Sequence, residues 1–274
     1  MATRDDFELP PVDSGLILTK VHDGSALQRV SQRIDLPGTG SIVHTFTTGD
    51  AAYVTEGGRK PLTPNSGASL TVSAEKFTKV VFITDELSED SPALADAIYT
   101  EIPKSFSSTF DKIIIGALAK PSGNFDNLAG APTLEISTVA SAYAALSAVE
   151  ANDVNPEAWV FTSAMFNDMA GRVNDLGTSV FNFANGEFLG LPYVVVRSTT
   201  KAAWVGPFQS RSVYGIVDGT PKVIVSTEGT LIDEDGTVIS LLQENKIGVV
   251  AEVRFGFRVA DINEFVKLTL APTS

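Results

Sequence analysis

The chain has 274 residues, enough for one large domain or two modest ones with ample core. Its 33 acidic against 20 basic residues leave a formal net charge of −13, which argues against a dedicated nucleic-acid-binding surface but not against a container that encloses nucleic acid without gripping it. With no cysteine and only two histidines, His22 and His44, disulfides, zinc–thiolate sites and thiol nucleophiles are excluded, and a Ser-His-Asp triad or a His-based metal cluster lacks material.

Residues 1–40 show weak periodicity, punctuated by Pro10-Pro11, Gly15, Gly24 and Pro37-Gly38. They read as an extended arm lying on other surfaces, with short elements at Leu16-Ile17-Leu18 and Leu27 to Val30. The N-terminus is acidic and polar, without the apolar region of a secretory signal, and no stretch approaches eighteen consecutive apolar residues. No export signal or membrane span is predicted, and a cytoplasm-like compartment is expected.

Ser41 to Phe46 and Ala51 to Thr55 read as one broken strand, and Ala68 to Thr78 as its return, with Leu70, Val72 and Ala74 alternating against Thr71, Ser73 and Glu75. Between them, Glu56 to Gly67 is turn chemistry throughout. The result is a long two-stranded loop over residues 41–78. An isolated ribbon is marginal in water, so another subunit is expected to cover it.

Lys79 to Thr84 is a further strand, leading through the acidic turn Asp85 to Asp90 into the one long predicted helix, Ser91 to Lys120. Leu94, Ile98, Ile102, Phe106, Phe110, Ile114 and Leu118 recur every fourth residue and form one apolar ridge. Ser91 is placed to cap, Pro92 suits the first helical position, and Pro121-Ser122-Gly123 marks the end. Such a helix is about 45 Å long. Pro103 removes a backbone hydrogen bond in its middle and predicts a bend or break.

Residues 134–214 alternate short elements: a helix over Thr138 to Ala151 with Ala142, Leu146 and Val149 inward, a strand over Ala158 to Thr162, a helix over Ser163 to Val173 capped by Ser163, and a buried strand over Leu191 to Arg197. A compact α/β layer is expected. Ser212 to Val217 and Lys222 to Ser226 flank Asp218-Gly219, a hairpin signal. Thr237 to Leu242, Gly248 to Arg258 and Asn263 to Leu270 complete a β-rich return placed to pair with the strand before the long helix.

Several groups invite a chemical reading. Asp85, Glu86, Glu89 and Asp90 suit a metal, yet equally complement the positive end of the following helix. Asp233-Glu234-Asp235-Gly236 resembles a fragment of a calcium loop without its spacing or closing Glu, so a turn is expected. Gly38-Thr39-Gly40 lacks the rest of a nucleotide-binding fingerprint, and no hydrolase, P-loop or kinase signature occurs. Glu252 and Arg254 share one face of a largely apolar strand, so an Arg-paired structural carboxylate is expected there. No convergent catalytic set, metal site or cofactor site emerges, and no enzyme is predicted. An acidic hydrolase or a sugar-binding protein is the alternative from another class.

The order of parts is more informative: an arm, a long loop ending in EGGRKP, then KVVFITDELSEDS, the long helix, GNFDNLAGA, NGEFLGLPYVVV, ENKIGVVAEVRFGFRV and a final strand. From about Ser41 onward this resembles the major capsid proteins of tailed bacteriophages, the Hong Kong 97-like family. The resemblance implies an α+β fold with an N-terminal arm (1–40), an extended loop (41–78), a peripheral domain with a spine helix (79–133), an axial domain (134–236) and peripheral return strands (237–274). It implies self-assembly into hexamers and pentamers of an icosahedral shell around packaged double-stranded DNA, in the virion and, before assembly, in the host cytoplasm. The implied partners are further copies, a portal, decoration proteins and, because Met1 stands almost at the arm, a separate scaffolding protein. An encapsulin-like compartment around a cargo enzyme is the alternative within the fold. Some family members weld subunits by isopeptide bonds between a loop lysine and an asparagine, assisted by a glutamate. Lys60, which precedes Pro61, Asn245 and Glu252, seven residues further on, match that pattern.

Overall fold

A computed structural model describes residues 21, 24–38, 40–47, 53–56, 58–60, 66–84, 92–136, 138–170, 181–217, 222–232 and 235–270. Two large sheets and one long helix organise them. The chain enters through a short helix, α1 (Ala26–Val30), and strand β1 (Gln32–Leu36), followed by the ribbon β2 (Gly40–Thr47) and β3 (Ser66–Ser73) and by β4 (Glu75–Thr84). β2 and β3 pair antiparallel from Gly40–Ser73 to Thr47–Ser66. Tyr53 to Thr55, predicted to continue the first ribbon strand, carry no regular structure, and the return splits at Ala74 into β3 and β4.

The long helix α2 spans Pro92–Ile114, with Pro103 inside it and no interruption there. The predicted break is absent. Proline costs one backbone hydrogen bond, and burial of Ile102 and Phe106 on either side holds the helix through it. The helix also ends six residues earlier than predicted, so it is about 35 Å long. Gly116, at φ +77°, is the stop. Its N–H donates to Ile113 O at 3.0 Å and the Ala117 N–H to Lys112 O at 2.8 Å, a pair of bonds that satisfies the last carbonyls. Leu118, predicted to end the ridge, lies beyond the stop and is exposed. Ser91 and the acidic turn 85–90 lie outside the described residues.

β5 (Thr133–Ile136), α3 (Val139–Glu150), β6 (Ala158–Thr162), α4 (Ser163–Ala170), β7 (Phe181–Asn182), β8 (Glu187–Phe188), β9 (Leu191–Val196) and β10 (Ala202–Gly206) follow. α4 is capped by Thr162, not Ser163: the Met165 N–H donates to Thr162 Oγ1, while Ser163 Oγ donates to Ser198 O. After α5 (Phe208–Arg211) come β11 (Ser212–Val217), β12 (Lys222–Ser226), the small pair β13 (Thr230–Ile232) and β14 (Val238–Ser240), the fourteen-residue β15 (Lys246–Val259) and β16 (Val266–Leu270).

One sheet is centred on β15. β4 pairs antiparallel along one edge, from Lys246–Thr84 to Phe255–Glu75. β11 and β12 lie end to end along the other, opposite Phe255 to Val259 and Gly248 to Glu252. The predicted Asp218-Gly219 hairpin is therefore not formed: both flanking strands run the same way and share β15. β1 extends this sheet parallel to β11. The second sheet has the order β5-β16-β10-β6-β9-β8-β7. β16 pairs with β10 and β5, so the final strand joins this sheet and not, as predicted, the one before the long helix.

The main core lies between α2 and the two sheets. Phe110 meets Phe255 edge-on at 4.8 Å between centroids, and Phe77 stacks on Phe255 at 4.2 Å. Trp204 closes it, its indole N–H donating to Leu128 O at 3.0 Å. A second core on the far side of the seven-stranded sheet packs Trp159, Phe161, Phe181 and Phe188 beneath α3 and α4. β6 and β10 thus lie between two cores and are buried at every position, whereas β9, predicted as the buried strand, is mostly half-exposed.

Candidate functional site

β15 shows strict alternation near its middle. Val249, Ala251, Val253, Phe255 and Phe257 face the helix, and Val250, Glu252 and Arg254 face outward. Glu252 therefore sits on the open side of the sheet, not in an apolar pocket. Its cation is also not the predicted Arg254. Glu252 Oε1 lies 2.5 Å from Lys76 Nζ on β4, and Arg254 is exposed. Lys76 stands opposite Arg254 and diagonal to Glu252, and its long side chain spans that diagonal to the carboxylate.

Asn245 ends the turn 241–245 before β15, with φ +47°. Asparagine tolerates this left-handed conformation, so backbone geometry alone accounts for its presence. The turn is pinned by Lys246 N–H to Leu241 O at 2.9 Å. Glu244 beside it accepts from Lys246 Nζ at 2.6 Å and from Ser240 N–H at 3.1 Å, and these bonds hold its carboxyl below the usual range. Lys60 is exposed near the ribbon tip. The three residues thus lie on three elements of the chain: the ribbon, a turn and the open sheet face. Asp235 and Gly236, the described half of the calcium-like fragment, form the turn between β13 and β14, with Gly236 at φ +79°. Among the described residues no group of three His, Asp or Glu is placed to hold a metal.

The most unusual ionisable group, Asp111, was not singled out by the sequence pattern. It lies on α2 beside Phe110 and is only 5% exposed. Ser25 Oγ donates to its Oδ1 at 2.6 Å, the Ala26 N–H to Oδ2 at 2.9 Å and the Leu27 N–H to Oδ1 at 3.2 Å. Asp111 and Ser25 thus share the N-terminus of α1, since the Gln28 N–H donates to Ser25 Oγ. Burial pushes the carboxyl up to about 6, against the three hydrogen bonds and the charge of Arg29, which pull it down. One turn earlier, Ser107 Oγ donates to Val21 O at 2.8 Å. Ser25 with Gln28 three residues later is a capping signal in the sequence, but nothing local announces that a carboxylate 86 residues away completes the cap.

The described residues thus present a partly open sheet face, a two-stranded ribbon and a buried scaffold. The phage capsid family model matches residues 8–270. The chain belongs to the phage capsid family. Solved structures share its fold. A chain from Mycobacterium phage Adephagia is 18% identical over 92% of this chain and 91% of that one, with a TM-score of 0.71. One from Microbacterium phage Oxtober96 is 16% identical over 99% and 96%, also at 0.71. The capsid of an empty GTA particle, computed with C5 symmetry, matches at 11% identity over 90% of both chains, with a TM-score of 0.63. No curated protein matches this capsid chain.

Proposed function

We propose that this phage capsid protein is the major capsid protein of a tailed phage, with a Hong Kong 97-like division into arm, extended loop, peripheral domain and axial domain. Copies of the chain form hexamers and pentamers that close an icosahedral shell around packaged double-stranded DNA. The observation that carries this reading is the family match across residues 8–270. The mixed α+β fold with its two-stranded ribbon supports it, as does the net charge of −13, which suits a container that does not grip its contents. Contacts of one surface with a different surface of the next copy close into rings, as a shell requires. A scaffolding protein, a portal and decoration proteins are the expected partners, and the host cytoplasm the place of assembly. The same match favours a virus over an encapsulin-like compartment.

Electron microscopy of the purified chain, alone and with its scaffold, tests this. Closed shells or capsomer rings are expected, and a strictly monomeric chain under all assembly conditions would overturn it. The covalent weld is part of the same reading. Lys60 Nζ attacks the Asn245 carboxamide carbon, Glu252 takes the amine proton, and ammonia leaves as the new amide forms. Glu252 must first release Lys76, which weighs against efficient chemistry. A denaturing gel of boiled shells decides: a ladder of covalent multimers supports the weld, and a single monomer band ends it.

A further inference from the structure

We propose that Asn185 is a self-modification site: its side-chain amide cyclises onto the Gly186 nitrogen and opens to a carboxylate, and this slow change loosens the tip of the β7–β8 hairpin.

Every asparagine carries the same amide, so the surroundings decide which one reacts. The attacking atom is the backbone nitrogen of the next residue, and a nitrogen whose N–H is already bonded must first give up that bond. Most of the described asparagines are guarded in this way. After Asn127 the Leu128 N–H donates to Ile114 O at 2.7 Å, and after Asn245 the Lys246 N–H donates to Leu241 O at 2.9 Å. After Asn152 the Asp153 N–H donates to Glu150 O at 3.0 Å. Phe125 and Glu264, which follow Asn124 and Asn263, donate to Ser122 O and Asp261 O at 3.4 Å each. Asn155 precedes Pro156, which has no N–H, and Asn167 lies inside α4, where the helical ladder holds the next N–H. Asn182 is held by its side chain: Oδ1 accepts from the Asn185 N–H and Nδ2 donates to Glu187 Oε2, each at 3.4 Å.

Asn185 has none of these guards. It is exposed in the turn 183–186, and among the described residues neither its side-chain amide nor the Gly186 N–H has a bonding partner. The turn is tethered through the Gly186 carbonyl instead, which accepts from the Tyr193 N–H at 3.0 Å. Gly186 brings no side chain to hinder the approach, and nothing stands within 4 Å of where its Cβ would be. Asn185 is also the one asparagine in the sequence that glycine follows.

The step balances within the chain and one water. The Gly186 nitrogen loses its proton and bonds to Asn185 Cγ, the Cγ–Nδ2 bond breaks, and ammonia leaves with that proton as a cyclic imide closes. Water then opens the ring. Attack at Cγ leaves aspartate. Attack at the main-chain carbonyl leaves isoaspartate, in which the backbone runs through the side chain and is one carbon longer. Both products place a new negative charge two residues from Glu187. The tip has little to resist this, since β7 and β8 share only the pairs Phe181–Phe188 and Asn182–Glu187. Phe183, stacked on Phe181 at 5.7 Å between centroids and itself exposed, rides on the turn. Phe181 and Phe188 are buried, which confines the change to the tip.

Peptide mapping by mass spectrometry tests the site on the purified full-length chain after incubation at pH 8.5 and at pH 6. The peptide containing residues 183–188 should gain one mass unit, as ammonia leaves and water enters. The gain should be several-fold faster at pH 8.5, because the attacking nitrogen must lose its proton. It should also be at least about fivefold faster than in the peptide containing Asn245, the factor that one broken backbone bond contributes. Asn185→Gln should remove the gain, since the ring it would close is larger and forms far more slowly. Hydrogen exchange of residues 181–188 should be faster in the aged chain than in the fresh one, and unaffected by ageing in Asn185→Gln. Conversion of Asn185 no faster than that of Asn245 would overturn the site, as would a gain that persists in Asn185→Gln. Equal exchange in aged and fresh chains would overturn the loosening. The readout belongs to the single chain and does not depend on shell formation.

Discussion

β6 and β10 of the seven-stranded sheet are buried at every position, whereas β4 of the sheet around β15 leaves Val80 and Phe82 exposed. The first sheet has a core on each face, so its central strands lose their alternation and read as apolar runs. The second has the long helix on one face; its other face is covered only beside β1 and β11, by a small cluster of Leu36, Val72, Val213 and Val217. Its outward row, Ile224 on β12, Val250 on β15 and Val80 on β4, lies in register across three strands. Lys246 extends over the Phe82 ring at 4.8 Å from its centroid, which shields part of this row. One sheet holds the chain together, and the other has apolar surface to spare for a neighbour.

Substitutions at matched positions test that contrast. Trp204→Ala should cost about 3–5 kcal/mol in chemical denaturation, because it opens the main core and removes the indole bond to the Leu128 carbonyl. Phe82→Ser should cost under about 1 kcal/mol in the isolated chain while lowering shell yield in sedimentation. Equal losses of chain stability would break the distinction between the two sheets. Asp111→Ala should cost about 2 kcal/mol near pH 5, since it leaves three buried donors without their acceptor. At pH 7.5 the loss should be smaller by about 1 kcal/mol, because the wild-type protein then carries a buried charge. Gly116→Ala should cost about 1 kcal/mol or more, read as a lower thermal midpoint: φ is +77°, and a Cβ would meet the Ala129 Cβ at 2.5 Å. Lys76→Ala should change stability by less than about 1 kcal/mol, because the pair with Glu252 is partly solvated. If the weld operates, the same substitution should strengthen the covalent ladder by freeing Glu252.

The long helix was legible because its ridge repeats within one turn, and Ile102, Phe106, Phe110 and Ile114 are indeed buried. The pairing of the strand before it with β15 was legible too, from alternation at both sites. The hairpin at Asp218-Gly219 was misread because a turn signal describes four residues and not the partner waiting beyond them. β12 continues along β15 since that edge is long enough for two strands. The pairing of β16 with β10 was hidden for the same reason: its alternation fits either sheet, and burial of Val266 and Leu268 against the second core decides between them.

Local pattern by itself thus determined the long helix, the strand before it, the alternation of β15 and an order of parts that resembles the capsid family, while β10 at the centre of the seven-stranded sheet was missed. Those features depend on residues three or four apart on a helix, or two apart on a strand. Tertiary structure alone decided which sheet receives the last strand, that Lys76 and not Arg254 holds Glu252, and that Asp111 caps a helix 86 residues away. Such contacts depend on where distant segments meet. Their energies come from desolvation and hydrogen bonding that exist only once the chain has closed around them.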